Sequence, residues 1–226
     1  MGSAPTPLTP AAQALRRRRR RLFAVASLLA MLSLIGAGAY YYYSGMPNRA
    51  AAAIRQGMTS LAPGHYQEAV EHFNRALELD PGRKGVYLRR GTAYQNLGQA
   101  ERALEDFERA LGENPREVAV FTARGVILRG RGDTGRALEE FSKALAIHED
   151  AEIFYERAQT YQQSGQLHQA IQDLDRVVAQ LRDAPDALRL RGLLKKEAGD
   201  PSGAQVDLDA ATEFERRARA GFEGMK

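Results

Sequence analysis

The first residues to weigh for chemistry are the four histidines, His65, His72, His148 and His168. None forms a His-Glu-x-x-His pair or another metal-ligand spacing, and the chain has no cysteine to supply a thiolate or a disulfide. Closely spaced carboxylates, Glu139 with Glu140 and Asp173 with Asp175, are the residue type that general acid–base work requires. They lie on segments of helical periodicity, whose polar faces need charge in any case, and are read as solvated. No phosphate loop, dinucleotide glycine motif or nucleophile elbow occurs. The expectation is a non-catalytic chain with no metal and no cofactor. One charged pattern stands out. Arg90, Arg124, Arg157 and Arg191 recur at intervals of 34, 33 and 34 residues. A row of guanidinium groups could grip an anionic ligand. The more common use of a repeated surface cation is to pair with carboxylates of a neighbouring unit, and that reading is preferred.

The arginines belong to a longer recurring phrase. Gly91, Gly98, Ala103, Phe107, Ala110 and Pro115 match Gly57, Gly64, Ala69, Phe73, Ala76 and Pro81, which stand 34 residues earlier, and Tyr94 joins the phrase in the second unit. Gly125, Gly132, Ala137, Phe141 and Ala144 continue the series, then Ala158, Tyr161, Gly165, Ala170, Leu174 and Val177, then Gly192, Gly199, Ala204, Leu208 and Ala211. A fixed period of this size means stacked supersecondary units, each burying its apolar face on the next. Each unit reads as two helices. Small, large, small at i, i+4, i+7, as in Ala103, Phe107 and Ala110, puts all three on one helical face. The small residues let backbones approach and the large one fills the gap. The glycine seven residues after the first, as at Gly98, ends the first helix and permits a tight turn. Asp200-Pro201 reads as a helix start, and Pro81 and Pro115 as the ends of second helices.

Period, glycines, alanines, aromatic and closing proline together resemble the tetratricopeptide repeat family. The resemblance covers residues 50–218 in five units, 50–83, 84–117, 118–150, 151–184 and 185–218. The last is the weakest, with Lys195 where a tyrosine is common, and reads as a terminal cap. The resemblance implies an all-α, right-handed superhelical solenoid with a concave groove lined by the first helix of each pair. Carried over position by position, the lining is Ile54, Arg55, Met58 and Leu61, then Leu88, Arg89, Thr92, Gln95 and Asn96. Thr122, Val126 and Arg129 follow, then Tyr155, Glu156, Gln159, Gln162 and Gln163, then Arg189 and Leu193. This mixture suits an extended peptide or a partner helix, with apolar anchors at one end and amides for its backbone. Some members clamp a partner's terminal carboxylate with groove lysines and asparagines. Here Ile54, Met58, Leu88 and Thr92 stand where those residues would be needed, so that clamp is absent. Replacing Arg89 and Arg129 together with glutamate is expected to weaken partner binding.

The segment before the repeats has a different character. Residues 1–15 are rich in Ala, Pro and Thr and are expected to be disordered. Six arginines follow at 16–21, and residues 22–43 carry no charge at all. As a helix, that stretch reaches about 33 Å, enough for a bilayer core. The arginines are expected on the cytoplasmic side, placing the repeats across a bacterial inner membrane, in the periplasm. Tyr40, Tyr41, Tyr42 and Tyr43 would sit at the far interface. A cleaved signal peptide ending at Ala37-Gly38-Ala39 is the alternative. Residues 44–49 read as a linker, with Met46-Pro47-Asn48 breaking the chain and capping a helix at Ala50; residues 219–226 read as a tail.

The charge follows the same division. Of 32 basic residues seven precede Ala50, together with none of the 28 acids, which leaves 25 basic against 28 acidic residues in 50–226. The positive net charge is therefore a property of the leading segment, and nucleic-acid binding by the repeats is not expected. The expected function is a membrane-anchored scaffold or adaptor binding a protein or peptide partner, in envelope assembly or secretion. A chaperone-like holdase for extended client peptides is the alternative, and self-association a further expectation.

Overall fold

The computed structural model describes residues 10–181 and 183–223, with side chains at 27–181, 183–218 and 220. These residues form ten helices and no strand. They are α1 (Pro10–Thr59), α2 (Tyr66–Leu79), α3 (Val86–Asn96), α4 (Ala100–Glu113), α5 (Val118–Gly130), α6 (Thr134–Ile147), α7 (Ala151–Gln163), α8 (Leu167–Gln180), α9 (Pro185–Glu197) and α10 (Pro201–Glu223). Packing is mainly sequential: each helix touches the next, and first helices of successive pairs also meet, α3 with α5 and α5 with α7. The result is an all-helical solenoid.

The pair interfaces follow from the small-large-small pattern. Phe73, Phe107, Phe141 and Leu174 are wholly buried. Each ring lies against a glycine of the preceding helix, so close that a Cβ on Gly57, Gly91 or Gly125 would fall 2.6–2.7 Å from a ring carbon. In the fourth pair the glycine is Ala158, and its partner is the smaller Leu174, both buried. The turn between paired helices is also a repeated device. At Gly132 the backbone takes φ 80°, which only glycine adopts without strain. The Asp133 N–H then reaches back to the Leu128 carbonyl at 3.0 Å and closes a Schellman turn. Asp133 goes on to cap α6, its carboxylate accepting from the Arg136 N–H at 3.2 Å. Asp133→Ala is expected to cost about 1 kcal/mol, read as a lowered urea midpoint by circular dichroism.

Two expectations about the leading segment need correction. The chain does not break at Pro47, because α1 runs unbroken from Pro10 to Thr59 with Pro47 inside it. Proline fixes φ near the helical value, removes the donor that would serve the Tyr43 carbonyl and crowds that carbonyl with its ring, at a cost of about 3 kcal/mol. It therefore weakens a helix without excluding one, and Asn48 does not act as a cap. Helix also begins at Pro10, where residues 1–15 were expected to lack structure. Proline is favoured in a first helical turn, and the Ala-Ala-Gln-Ala-Leu that follows is a run of good helix formers. Residues 1–9, residues 224–226, and the side chains of the 16–21 arginines and of residues 22–26 lie outside the described residues. Among the described residues no helix is long and apolar enough to cross a membrane. The first five side chains of the expected span are not among them.

Candidate functional site

The recurring arginines are staples rather than an anion-binding row. Arg90 on α3 grips both oxygens of Asp106 on α4, each at 2.7 Å, and donates to Asn74 on α2 at 2.7 Å. Arg157 on α7 repeats this with Asp173 on α8, twice at 2.8 Å, and with Ser142 on α6 at 3.1 Å. Arg191 on α9 holds Asp207 on α10 and Asp175 on α8. Each guanidinium thus ties the two helices of its own pair to the second helix of the pair before. Arg124 makes the loosest member, 3.4 Å from Glu140 and 3.6 Å from Glu108, where the longer glutamate departs from the aspartate geometry. Aromatic rings flank two of the staples, Tyr87 and Tyr94 around Arg90, Phe154 and Tyr161 around Arg157, at 5.6–5.8 Å.

The acids of these staples are buried: Asp106 is 2 % exposed, Asp207 3 %, and Glu140 and Asp173 5 % each. This corrects the solvated reading of Glu140 and Asp173. A buried carboxylate is tolerable only with its charge matched and its lone pairs bonded, which a bidentate arginine accomplishes. Those bonds hold Arg90, Arg157 and Arg191 above even the usual high guanidinium value, against the opposing pull of burial. A signal for the acids was present in the sequence. They recur with the period, each directly before the large residue of the second helix: Phe107, Phe141, Leu174, Leu208. The first pair has Gln56 and His72 at the equivalent places.

The predicted groove residues all lie on first helices or, for Leu61, just beyond one. Ile54, Leu61, Leu88, Arg89, Thr92, Gln95, Thr122, Val126, Arg129, Tyr155, Glu156 and Gln159 are half-buried. Arg55, Met58, Asn96, Gln162, Gln163, Arg189 and Leu193 are exposed. Several of their polar groups are already engaged. Thr92 and Thr122 donate to carbonyls one turn back in their own helices, and Arg89 donates to the Gly85 carbonyl at 2.8 Å. Arg129 bridges from α5 to α7, 2.6 Å from the Glu156 carboxylate and 2.6 Å from the Gln159 amide oxygen. Arg129 is therefore a groove strut and not a cation free for a partner; an Arg129→Glu change would oppose two acids inside the solenoid. Two cavities of about 280 Å³ open beside the first helices. Tyr155, Val177, Leu181 and Pro185 line one, and Lys84, Leu88, Glu113 and Glu117 the other. Among the described residues no three His, Asp or Glu side chains gather as a metal site would need.

Three family models, each described as tetratricopeptide repeat, match residues 50–83, 88–152 and 151–179. These are tetratricopeptide repeats. No curated protein matches the chain. Among solved structures, MamA residues 41-end from Desulfovibrio magneticus RS-1 are similar at a TM-score of 0.68 and 20 % identity, over 75 % of this chain and 96 % of that one. A second MamA crystal structure is similar at 0.67 and 18 % identity, over 73 % and 96 %. PilF of Pseudomonas aeruginosa is similar at 0.66 and 19 %, over 75 % and 78 %. At such identities the likeness is one of fold. Tetratricopeptide repeats bind protein partners, and this chain carries that kind of binding scaffold.

The fifth helix pair, α9 and α10, has a more polar second helix than the pairs before it. In earlier second helices one recurring position holds Val70, Leu104, Leu138 and Ile171 and, two turns along the same face, Leu77, Leu111, Leu145 and Val178, all buried or half-buried. In α10 they become Gln205 and Thr212, both exposed. Lys195, out of place for a repeat tyrosine, joins Arg191 on Asp207 at 2.9 Å. Burial pushes the Asp207 carboxyl up, but the hydrogen bonds from Arg191 and Lys195 outweigh it and hold it below its ordinary 3.8. A native value lower than the unfolded one gives stability that is present above the unfolded value and lost as pH falls through the native one. Asp207→Asn is thus expected to narrow the difference in urea midpoint between neutral pH and about pH 3.

Proposed function

We propose that the chain is a membrane-anchored, non-catalytic scaffold whose repeats gather protein partners on the far side of a bacterial inner membrane from its arginine cluster. The observation that carries this reading is the continuity of α1. The helix leaves Leu28, Leu29, Leu32, Leu34 and Ile35 between 53 and 74 % exposed, and then enters the repeat core at Ala50, which is fully buried. Exposed aliphatic side chains on every side of a helix are unfavourable in water and suited to acyl chains. The uncharged run 22–43 behind six arginines fits a signal anchor with the arginines cytoplasmic. Envelope assembly or secretion are the processes such a placement serves. A second reading, a holdase for extended client peptides, draws on Met58 and Leu193, each 50 % exposed at opposite ends of the groove.

The test is affinity capture from solubilised native membranes with the full chain as bait. The control bait is Met58→Glu/Gln163→Glu/Leu193→Glu, which alters exposed groove positions whose side chains make no hydrogen bond or ion pair among the described residues. A defined partner retained by the wild type and lost by the control supports the scaffold. A broad set of unfolded clients supports the holdase, and identical retention by both baits removes the groove from the function.

A further inference from the structure

The junction between the apolar part of α1 and the first repeat carries a second interaction surface. This inference rests on the membrane-anchor reading. Every side chain from 27 to 44 is exposed, and Gly45 and Met46 are the first to be partly covered. What stands beside them follows from the packing of α1 on α2. Gly57 lies opposite Phe73, with under 3 Å between the ring and a Cβ at Gly57. The two helices are antiparallel and each advances about 1.5 Å per residue, so Ala50 is level with Asp80 and the α2–α3 loop, 80–85, is level with residues 45–50. That loop therefore lies about one helical turn beyond Tyr43, at the height of lipid headgroups if the tyrosines mark the interface.

Its charge is distinctive. Arg83 and Lys84 are exposed and form no ion pair among the described residues, and Arg49 on α1 shares their level, stacked 5.5 Å over the Tyr42 ring. The acids nearby are Asp80, Glu113 and Glu117. Glu113 already accepts the Gly85 N–H at 2.7 Å, and Glu113 and Glu117 line the cavity next to Lys84. The other loops between repeats differ. Residues 114–117 balance Arg116 against Glu117, 148–150 hold Glu149 and Asp150, and 181–184 balance one arginine against Asp183. Only the loop beside the apolar segment is net cationic.

We propose that Arg49, Arg83 and Lys84 form a collar that binds the phosphates of anionic phospholipids in the leaflet on the repeat side, laying the α2–α3 edge of the solenoid on the bilayer. Basic side chains within a screening length of an anionic surface are drawn to it, and the attraction fades with salt.

The absence of native cysteine allows single labels on the full chain. Gly82→Cys marks the loop, where an added Cβ meets nothing nearer than the Asp80 carboxylate at 3.9 Å. Ala62→Cys marks the opposite end of the first repeat. Each labelled chain is reconstituted in vesicles of phosphatidylcholine, alone or mixed with phosphatidylglycerol, and washed with alkaline carbonate. Fluorescence quenching by a lipid with a headgroup nitroxide is then read. The expected result is strong quenching at Gly82→Cys in phosphatidylglycerol vesicles and none at Ala62→Cys. It should be lost with Arg49→Glu/Arg83→Glu/Lys84→Glu, and at about 1 M salt, where screening shortens to about 3 Å. Chain retained after carbonate but unquenched at Gly82→Cys overturns the collar and leaves the anchor standing. Equal quenching in both vesicle types, or in the triple variant, overturns recognition of the phosphates. Chain stripped by carbonate overturns the anchor, and the collar with it.

Discussion

Replacing Asp173 with alanine is expected to lower the stability of the repeat array by about 3 kcal/mol, more than any surface change. The loss is not that of a surface salt bridge. Asp173 is 5 % exposed and takes two hydrogen bonds of 2.8 Å from Arg157, whose third arm reaches Ser142 on the preceding pair. With the carboxylate gone, the guanidinium remains between Phe154 and Tyr161, its charge unmatched. Desolvation of that orphaned charge is the larger part of the cost. Two controls separate the explanations. Asp173→Asn keeps the shape and one acceptor, and should fall between wild type and alanine. Arg157→Met/Asp173→Leu removes both charges, and should recover most of the stability, since apolar replacement of a buried pair is often near neutral. Urea unfolding followed by circular dichroism reads all three. A double variant as unstable as Asp173→Ala would mean that the site is lost through packing instead of charge.

Gly125→Ala is the second large effect, a destabilisation of about 2 kcal/mol from a substitution that should otherwise favour a helix. The new methyl would sit 2.7, 2.8 and 3.0 Å from three carbons of the fully buried Phe141 ring. That ring cannot retreat, because it fills the space between α5 and α6. The chain itself contains the compensated version: Ala158 faces Leu174 in the fourth pair. Gly125→Ala/Phe141→Leu should therefore be more stable than Gly125→Ala alone, and a double variant below both singles would refute the steric account. Phe141→Leu by itself leaves a partial cavity and is expected to cost about 1 kcal/mol.

How much of this was legible follows from what each feature depends on. The helix pairs were, because Ala103, Phe107 and Ala110 and their counterparts encode a packing face by spacing alone, and Gly98 or Gly132 encode a turn by backbone freedom. The staples were half legible. The arginines were visible as a periodic row, but a charge on a helix gives no sign of burial, and Glu140 and Asp173 looked like ordinary solvent-facing acids. Their place before the large residue of each second helix and their fixed distance from the arginines, one helix across in the same pair, mark them, and that distance becomes a contact only after folding. The fate of Arg129 was not legible, since Glu156 and Gln159 meet it through contact between α5 and α7, about 30 residues apart in the chain. Pro47 misled because local punctuation was given more weight than the helix-forming residues on both sides of it.

The continuity of α1 makes the junction a crankshaft. With about 3.6 residues per turn, each residue inserted or deleted between Tyr43 and Ala50 rotates everything after it by about 100° about the helix axis and shifts it by about 1.5 Å. The direction in which the groove looks is thus written in the number of residues in that short stretch and not in their identities. A one-residue deletion there would turn the binding face away while leaving every repeat intact, and an insertion of seven would restore its heading almost fully.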